Sequence, residues 1–234
     1  MPHSACQYAG FQRIEELQME LIVTTADYCD FIRCAGTKIA GEKDYISSLD
    51  AATGDGDHWA NINMGFEALL AMEETLRGMG FSGLFKKIGM TMMSRIGGSS
   101  GILYGGAYQA AGKVLPEETA ISLPQLCQAM DAMLTDMMKR GGAQPGFKTM
   151  IDALHPAAAA FRESLNKGEE PLVLLQNLKQ AALLGAEATR EMEAVKGRAS
   201  YQANKGVGHL DPGAVTMAWQ IECLCDTLTA IAAK

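Results

Sequence analysis

The sequence predicts an all-α fold, an antiparallel bundle of about eight helices. Residues that favour helices, such as Ala, Leu, Met, Glu and Gln, are abundant, whereas alternating β-branched residues are scarce. Apolar residues also recur at helical spacing in nearly every segment. Because short turns separate most segments, neighbouring helices should run antiparallel, with their loops gathered at the two ends of the bundle.

Glycine and proline mark the helix boundaries in order along the chain. We expect helices at about 12–35, 61–77, 82–95, 101–115, 122–140, 147–167, 171–192 and 212–232, with a weaker helical turn near 42–48. The breaks fall at Gly78 and Gly80, Gly97 and Gly98, Pro116, Gly141 and Gly142, Gly168 to Pro171, and a long loop over 196–211. Asp211 followed by Pro212 is typical of a helix start. The stripe Met130, Met133, Leu134, Met137 and Met138 is typical of a buried helix face.

Length and charge restrict the class of protein. The 234 residues predict one domain over 11–234 preceded by a flexible extension over 1–10, which lacks the features of a secretory signal. No apolar run approaches the roughly 18 residues of a membrane span. A net charge of −7 argues against nucleic-acid binding. The six cysteines form no C-x-x-C pair, so we expect reduced thiols and a cytoplasmic location.

The segment from Leu49 to Asn61 crowds Asp50, Asp55 and Asp57 around glycines. Carboxylates so close repel one another unless a cation neutralises them. Mg²⁺ prefers oxygen ligands and often takes one or two carboxylates together with substrate phosphates. The segment therefore predicts a magnesium and phosphate site. The alternative is a solvated acidic turn, since Asp and Gly are common turn residues.

Three well-known loop types do not fit. An EF-hand loop starting at Asp55 would need Gly and Glu where Ala60 and Phe66 stand. The stretch Gly106 to Lys113 has one residue too many for a Walker phosphate loop, and it continues with Val114. No Gly-x-Gly-x-x-Gly follows a strand-like run. A nucleotide would have to be bound without these common fingerprints.

Three further loops could contact a nucleotide. Gly97 to Gly101 carries Ser99 and Ser100 at a helix start, where backbone N–H groups can bind an anion, although an ordinary helix cap explains the serines equally well. The glycine-rich turn over 140–150 could admit a flat base. The loop over 196–213 is long enough to act as a lid, and its Arg198 could neutralise a transferring phosphoryl group.

These segments form one ordered pattern: Asp50-x4-Asp55-Gly-Asp57-His58-x-x-Asn61, Gly97-Gly-x-Ser100-Gly-x-Leu-Tyr-Gly105, Pro-Gly-x-Lys-Thr-Met150, Gly197-Arg-Ala-Ser-Tyr201 and Gly208-His-x-Asp-Pro-Gly-Ala214. In this pattern the chain resembles the L subunit of dihydroxyacetone kinase, from about residue 30 to the C-terminus. The resemblance implies a closed antiparallel barrel of eight helices, with ADP or ATP and two Mg²⁺ ions held by loops at one end.

The resemblance also implies roles for individual residues. Asp50, Asp55 and Asp57 would hold the Mg²⁺ ions, and Arg198 would take the catalytic role. The nucleotide would be surrounded by His58, Trp59, Ala60, Asn61, Ser99, Ser100, Gly141, Met150, Arg198, Leu210, Asp211 and Pro212. The ketose would sit on a histidine of a separate K subunit, and a phosphohistidine-carrying M subunit could recharge bound ADP. No nucleic acid or membrane partner is implied.

Three residues depart from the family pattern: Trp59 and Phe147 replace a usual Gly and Asp, and Leu210 replaces a polar residue. These three residues could change how the nucleotide base is bound and how tightly ADP is retained. Two alternative functions stay open. Trp59 and Phe147 leave room for a non-catalytic nucleotide sensor, and the nucleotide domain of a fatty-acid-kinase-like system shares the same resemblance.

Overall fold

The computed structural model describes residues 21–233, which form ten α-helices and one two-stranded sheet. The prediction of an all-α fold is confirmed. Helices α1 to α10 span Thr25–Gly41, Lys43–Thr53, His58–Leu70, Glu73–Arg77, Phe81–Arg95, Gly98–Val114, Leu123–Gly141, Ile151–Lys167, Pro171–Ala188 and Pro212–Ala232. Strands β1 and β2 span Ile22–Thr24 and Ala120–Ser122.

Eight of these helices close into a ring. Going round it, α1 packs on α3, then α5, α6, α7, α8, α9 and α10 follow, and α10 packs back on α1. Helices α2 and α4 lie in the connections before and after α3. Since successive members of the ring begin at opposite ends, the arrangement is an antiparallel barrel, as the resemblance implies.

The apolar faces of the ring helices meet in one continuous core. Its largest fully buried side chains include the aromatic rings of Phe66, Phe81, Phe85, Tyr104 and Phe161. The methionine-rich stripe of α7 belongs to this core as predicted, with Met130, Leu134 and Met137 buried and the other two methionines partly buried. Burial of these faces is what holds the ring together.

One end of the barrel is closed by the small sheet. β1 pairs antiparallel with β2, with Ile22 opposite Ser122, and Thr24 then caps α1 through a reciprocal pair of hydrogen bonds with Asp27. The predicted helix over 12–35 is therefore wrong at residues 22–24, and its part over 12–20 lies outside the described residues, as does the predicted extension over 1–10. Pairing with a strand about 100 residues away overrides the local helical pattern.

Other boundaries also differ from the prediction. The weak turn near 42–48 is a full helix, α2, and the predicted helix over 61–77 is two helices that separate at Ala71 and Met72. No glycine or proline marks that break. Helix α4 is instead held against α1 by Arg77, which bonds to the carbonyl oxygen of Ala26 and to Asp30.

The loops that precede α3, α6, α8 and α10 gather at the opposite, open end of the barrel. The longest runs over residues 189–211, between α9 and α10, and we refer to it as the lid loop. It begins with a 3-10 turn over Thr189–Glu191, which ends the predicted helix over 171–192 early. Within residues 21–233, no helix is both long and apolar enough to cross a membrane. The five cysteines in the same range are free, as expected.

Candidate functional site

A cavity of about 490 Å³ occupies the open end of the barrel. The first turns of α3, α6, α8 and α10 border it, together with the last turns of α2 and α7 and the lid loop. Helix N-termini carry partial positive charge, so four of them favour an anion. Most of the residues singled out from the sequence line the cavity: Asp50, Asp55, Asp57, His58, Asn61, Ser99, Ser100, Gly141, Met150, Arg198, Asp211 and Pro212.

The three aspartates form an acidic corner of this cavity. Asp50 lies in the last turn of α2 and is buried, whereas Asp55 and Asp57 lie in the exposed turn between α2 and α3. One carboxylate oxygen from each residue lies within 4.8 Å of the others. A side chain at Gly54 would collide with Asp50, since an added Cβ would stand 2.3 Å from Oδ1. Glycine therefore lets the turn fold closely over the end of α2.

The acidic corner fits a hard divalent cation. Its donors are all carboxylate oxygens, the type that Mg²⁺ prefers, and their separation allows ions to be shared between them. One oxygen of Asp50 is oriented by the backbone N–H of His58, which donates to Oδ2 at 2.9 Å. A guanidinium also lies beside the corner, because Arg198 Nη2 and Asp55 Oδ2 form an ion pair at 2.6 Å.

His58 connects the acidic corner to a polar chain inside the barrel. Its Nε2 and the hydroxyl of Thr216 are 2.9 Å apart. Below it, the amide of Gln220 donates to the Thr216 carbonyl oxygen and to the hydroxyl of Tyr104. Burial lowers the pKa of His58, although Asp50 and Asp57 act in the opposite direction. The side chain of His58 thus joins the first turn of α3 to α10 inside the barrel.

The start of α6 provides backbone donors for an anion. Gly97 caps this helix without a side-chain hydrogen bond, and Gly98 adopts a φ of +63° that favours glycine. Ser99 and Ser100 lie in the first turn, facing the cavity. The side-chain oxygen of Asn61 accepts a hydrogen bond from the Gly97 N–H at 3.3 Å, which joins this loop to α3.

Part of the cavity lining is apolar. Leu103, Met137, Ala143 and Met150 form this part, and Gly141 lies at the end of α7 beside them. Met137 is fully buried, and Met150 is 9% exposed. Apolar side chains combined with a few converging polar groups are the usual composition of a small-molecule site.

Three of the residues singled out from the sequence do not line the cavity: Trp59, Ala60 and Leu210. The indole of Trp59 points away, donating its N–H to the carbonyl oxygen of Ile39 at 2.9 Å, with Lys43 Nζ 4.9 Å from the ring centre. Leu210 is buried. Phe147, the third departure from the family pattern, packs against the core rather than into the cavity.

Cationic side chains that the sequence pattern did not single out also line the cavity, namely Arg140, Lys148 and Lys196. Lys148 is fully buried, and its position in the Pro-Gly-x-Lys-Thr stretch was the available signal. Near it, Asp211 caps α10 by accepting from the Ala214 N–H at 2.7 Å. Asp211 and Pro212 thus form the helix start that the sequence predicts.

Comparison with known proteins places this geometry in a family. The profile of the DAK2 domain matches residues 52–226. The ADP-binding subunit DhaL of PEP-dependent dihydroxyacetone kinase from Escherichia coli is 33% identical over 202 residues, covering 86% of this chain and 93% of that protein. The PTS-dependent counterpart from Lactococcus lactis is 37% identical over 191 residues, covering 82% and 91%. Human triokinase/FMN cyclase is 35% identical over 194 residues, which are 33% of its length.

Solved structures show the same fold. The native dihydroxyacetone kinase of C. freundii superimposes with a TM-score of 0.66 and 26% identity, covering 85% of this chain and 34% of the kinase chain. Its complex with AMP-PNP and Mg²⁺ gives the same TM-score at 25% identity. This chain thus spans about a third of these longer kinases but nearly the whole length of the DhaL subunits. The chain belongs to the DAK2-domain family, together with the ADP-binding DhaL subunits of dihydroxyacetone kinases.

Proposed function

We propose that this chain is the ADP- or ATP-binding subunit of a kinase for dihydroxyacetone or a related small ketose. It would deliver the γ-phosphoryl group to a ketose held covalently on a partner K subunit. The observation that carries this proposal is the acidic corner in a cavity that is also lined by apolar side chains and by four helix N-termini. The DhaL relatives are named as ADP-binding subunits of such kinases.

The cavity offers each part of a nucleotide a suitable surface. The apolar wall around Leu103 and Met137 fits a purine base, and the start of α6 fits phosphate oxygens through its backbone N–H groups. Asp50, Asp55 and Asp57 would hold two Mg²⁺ ions. When bound, these ions offset the charge that develops on the phosphate oxygens.

Arg198 is the residue that we assign to catalysis. It lines the cavity from the lid loop and stands beside the acidic corner, where a γ-phosphoryl group would lie. Its guanidinium can donate to two phosphate oxygens at once. No nucleophile is needed in this chain, because positioning and electrostatic stabilisation are sufficient for phosphoryl transfer to a hydroxyl group.

The ketose and the phosphoryl donor belong to partner proteins in this proposal. Triokinase and the C. freundii kinase are about three times the matched length, which leaves room for a ketose-binding part in the same polypeptide. Here that part would be a separate K subunit, and an M subunit with a phosphohistidine would recharge bound ADP in place. Free thiols in the described residues are compatible with a cytoplasmic location.

The two alternatives have less support. A nucleotide sensor was suggested by substitutions at Trp59 and Phe147, yet neither side chain lines the cavity. The DhaL subunits, which match this chain over nearly their whole length, favour a ketose kinase over a fatty-acid-kinase-like system.

Reconstitution tests the proposal. The chain is purified, its bound nucleotide and metal are identified by native mass spectrometry, and it is mixed with a K subunit, dihydroxyacetone and ATP or an ADP-recharging M subunit. We expect co-purified or readily added ADP with Mg²⁺, and ketose phosphorylation only when the K subunit is present. Robust phosphorylation of free ketose by this chain alone would contradict the proposed division of labour, and failure to bind ADP with Mg²⁺ would contradict the nucleotide site.

A further inference from the structure

The turn over residues 146–149 carries a lysine whose ammonium group is buried. Lys148 is 2% exposed, and its Nζ donates to the carbonyl oxygens of Thr189 and His209, both at 2.5 Å. These carbonyls lie at the two ends of the lid loop. We propose that Lys148 is a positioning residue for phosphoryl transfer, which fixes both ends of the lid loop and thereby places Arg198. This inference rests on the function proposed above.

The two ends of the lid loop meet around this ammonium group. Thr189 is fully buried, and its hydroxyl donates to the carbonyl oxygen of Ala186 at 2.6 Å and accepts from the Asp211 N–H at 3.0 Å. Lys148 adds bonds to both sides of this junction. Restraining both ends of a loop removes many of the conformations that its middle could otherwise adopt. The position of Arg198 in the middle of the loop therefore depends on the junction.

The turn that carries Lys148 is itself held firmly. The carboxylate of Asp152 accepts hydrogen bonds from the N–H groups of Gly146 and Thr149, the latter at 2.7 Å. Lys148 adopts a φ of +60°, which a lysine keeps only where the surroundings enforce it. The lid loop packs closely on it, since a Cβ added at Gly206 would lie 3.0 Å from Lys148 Cε. The turn and the contact with Gly206 thus hold the aliphatic part of the Lys148 side chain in place.

The hydrogen bonds that Lys148 donates are the reason why it restrains the lid loop. Burial lowers the pKa of its ammonium group, an effect that Arg190 reinforces and that Asp211, Asp152 and Glu191 oppose. Bonds from a charged donor to carbonyl oxygens are stronger than neutral ones. Removing the ammonium group would take this donor from the carbonyl oxygen of buried Thr189 and from that of His209, which weakens the native junction.

Two variants that remove the ammonium group test the inference against a control at an exposed lysine. Lys148→Met removes the charge and keeps the stem, whereas Lys148→Asn removes both and suits a left-handed turn, so it serves if the first variant fails to fold. Lys167→Met is the control, because Lys167 pairs with exposed Glu163 away from the lid loop. Hydrogen exchange is measured across the chain, and ADP–Mg²⁺ affinity and single-turnover transfer to a ketose on a K subunit are measured in parallel.

We expect amides of residues 189–211 to exchange at least about tenfold faster in the Lys148 variants, with the barrel core unchanged. Transfer should fall by about tenfold or more while ADP affinity falls less than about threefold, and Lys148→Arg should recover part of the rate. Unchanged exchange in the lid loop, or equal losses of affinity and rate, would overturn the inference. If the wild-type chain and Lys167→Met also show no phosphoryl transfer, the proposed function is wrong. Hydrogen exchange in the lid loop still tests whether Lys148 holds its two ends.

Discussion

Single side chains determine the charge balance of the acidic corner. The carboxylates of Asp50, Asp55 and Asp57 lie close together. The guanidinium of Arg198 forms an ion pair with Asp55. The pair between Arg198 and Asp55 is largely exposed, with side-chain exposures of 64% and 38%. Exposed ion pairs contribute only about 0 to 1 kcal/mol to stability. We therefore expect that Arg198 and Asp55 can each be replaced without loss of the fold.

Asp55→Asn should abolish tight ADP–Mg²⁺ binding and leave folding intact. The change removes one metal ligand from a turn outside the core, so we expect affinity to fall more than about 100-fold, beyond the loss caused by an outer-shell change. The unfolding free energy measured in EDTA should change by less than about 1 kcal/mol. Calorimetry and denaturation check this, with Asp44→Asn on the exposed start of α2 as the control. Retained affinity in Asp55→Asn would rule out its role as a ligand.

Arg198→Lys should reduce phosphoryl transfer far more than ADP binding. A lysine keeps the charge but cannot donate two parallel hydrogen bonds to phosphate oxygens. Arginines that act in the transition state contribute roughly 10³-fold in rate, about 4 kcal/mol. Single-turnover transfer to a K subunit loaded with ketose is compared with ADP affinity. Equal losses in both would mean that Arg198 only anchors the nucleotide or the lid loop.

Asp211 should make stability depend on pH. Burial raises its pKa from the ordinary value of 3.8 to about 7, with opposing effects from the Ala214 N–H and Lys148. Between these values the folded chain keeps a proton that the unfolded chain has lost, so this group makes the unfolding free energy fall as pH rises through that window. Asp211→Asn keeps an oxygen that can cap α10 and does not titrate. Denaturation in EDTA from pH 4 to 8 should show a shallower decline for Asp211→Asn. Parallel profiles would show that Asp211 does not titrate there.

The arrangement of the helices determines where the side chains of the cavity lie. Four helix starts converge at the open end, and the small sheet fastens the opposite end. At that closed end α5 begins against the segment before β2, with the Phe81 N–H donating to the Glu118 carbonyl oxygen at 2.9 Å. Gly80 precedes this contact, and a Cβ there would stand 1.7 Å from the carbonyl oxygen of Glu117. The contact requires glycine for space rather than for its φ of −73°.

Gly80→Ala should therefore destabilise the barrel, whereas Gly78→Ala should not. The nearest atom to a Cβ at Gly78 is the Thr75 carbonyl oxygen at 3.8 Å, and neither glycine has a positive φ, so available space is the main difference between them. We expect a loss of about 1 to 3 kcal/mol in unfolding free energy for Gly80→Ala and less than about 0.5 kcal/mol for Gly78→Ala. Chemical denaturation of both variants measures the difference. Similar stabilities would mean that the 116–118 segment moves aside easily.

The whole molecule is a ring of helices that leaves one end open for a ligand. A ligand that binds only the folded ring stabilises it by mass action, by about 2.7 kcal/mol at 100 times its dissociation constant. For a chain of this size that predicts an increase in Tm of roughly 5 to 10 °C with ADP and Mg²⁺ together. Either component alone should give much less, because the acidic corner and phosphate oxygens share the metal. A full shift with ADP in EDTA would contradict this coupling.

The sequence by itself determined the fold class and most ring helices. Helical periodicity is set by neighbours three and four residues apart, so segments such as 82–95 and 212–232 are predicted almost to their ends. It also predicted a cluster of three aspartates, whose carboxylate oxygens the structure brings within 4.8 Å of one another. The lid loop is visible as a long glycine-rich stretch.

Only the tertiary structure decided which distant groups meet. Ile22 is a strand residue because it pairs with Ser122, Lys148 bonds to carbonyls more than 40 residues away, and the indole of Trp59 turns from the cavity to the end of α1. Local preference is a weak bias of under about 1 kcal/mol per residue, which a distant backbone pairing or a buried hydrogen bond can override. The local sequence therefore predicts which types of side chain occur at the site. Which distant residues those side chains contact depends on how the helices close into the ring.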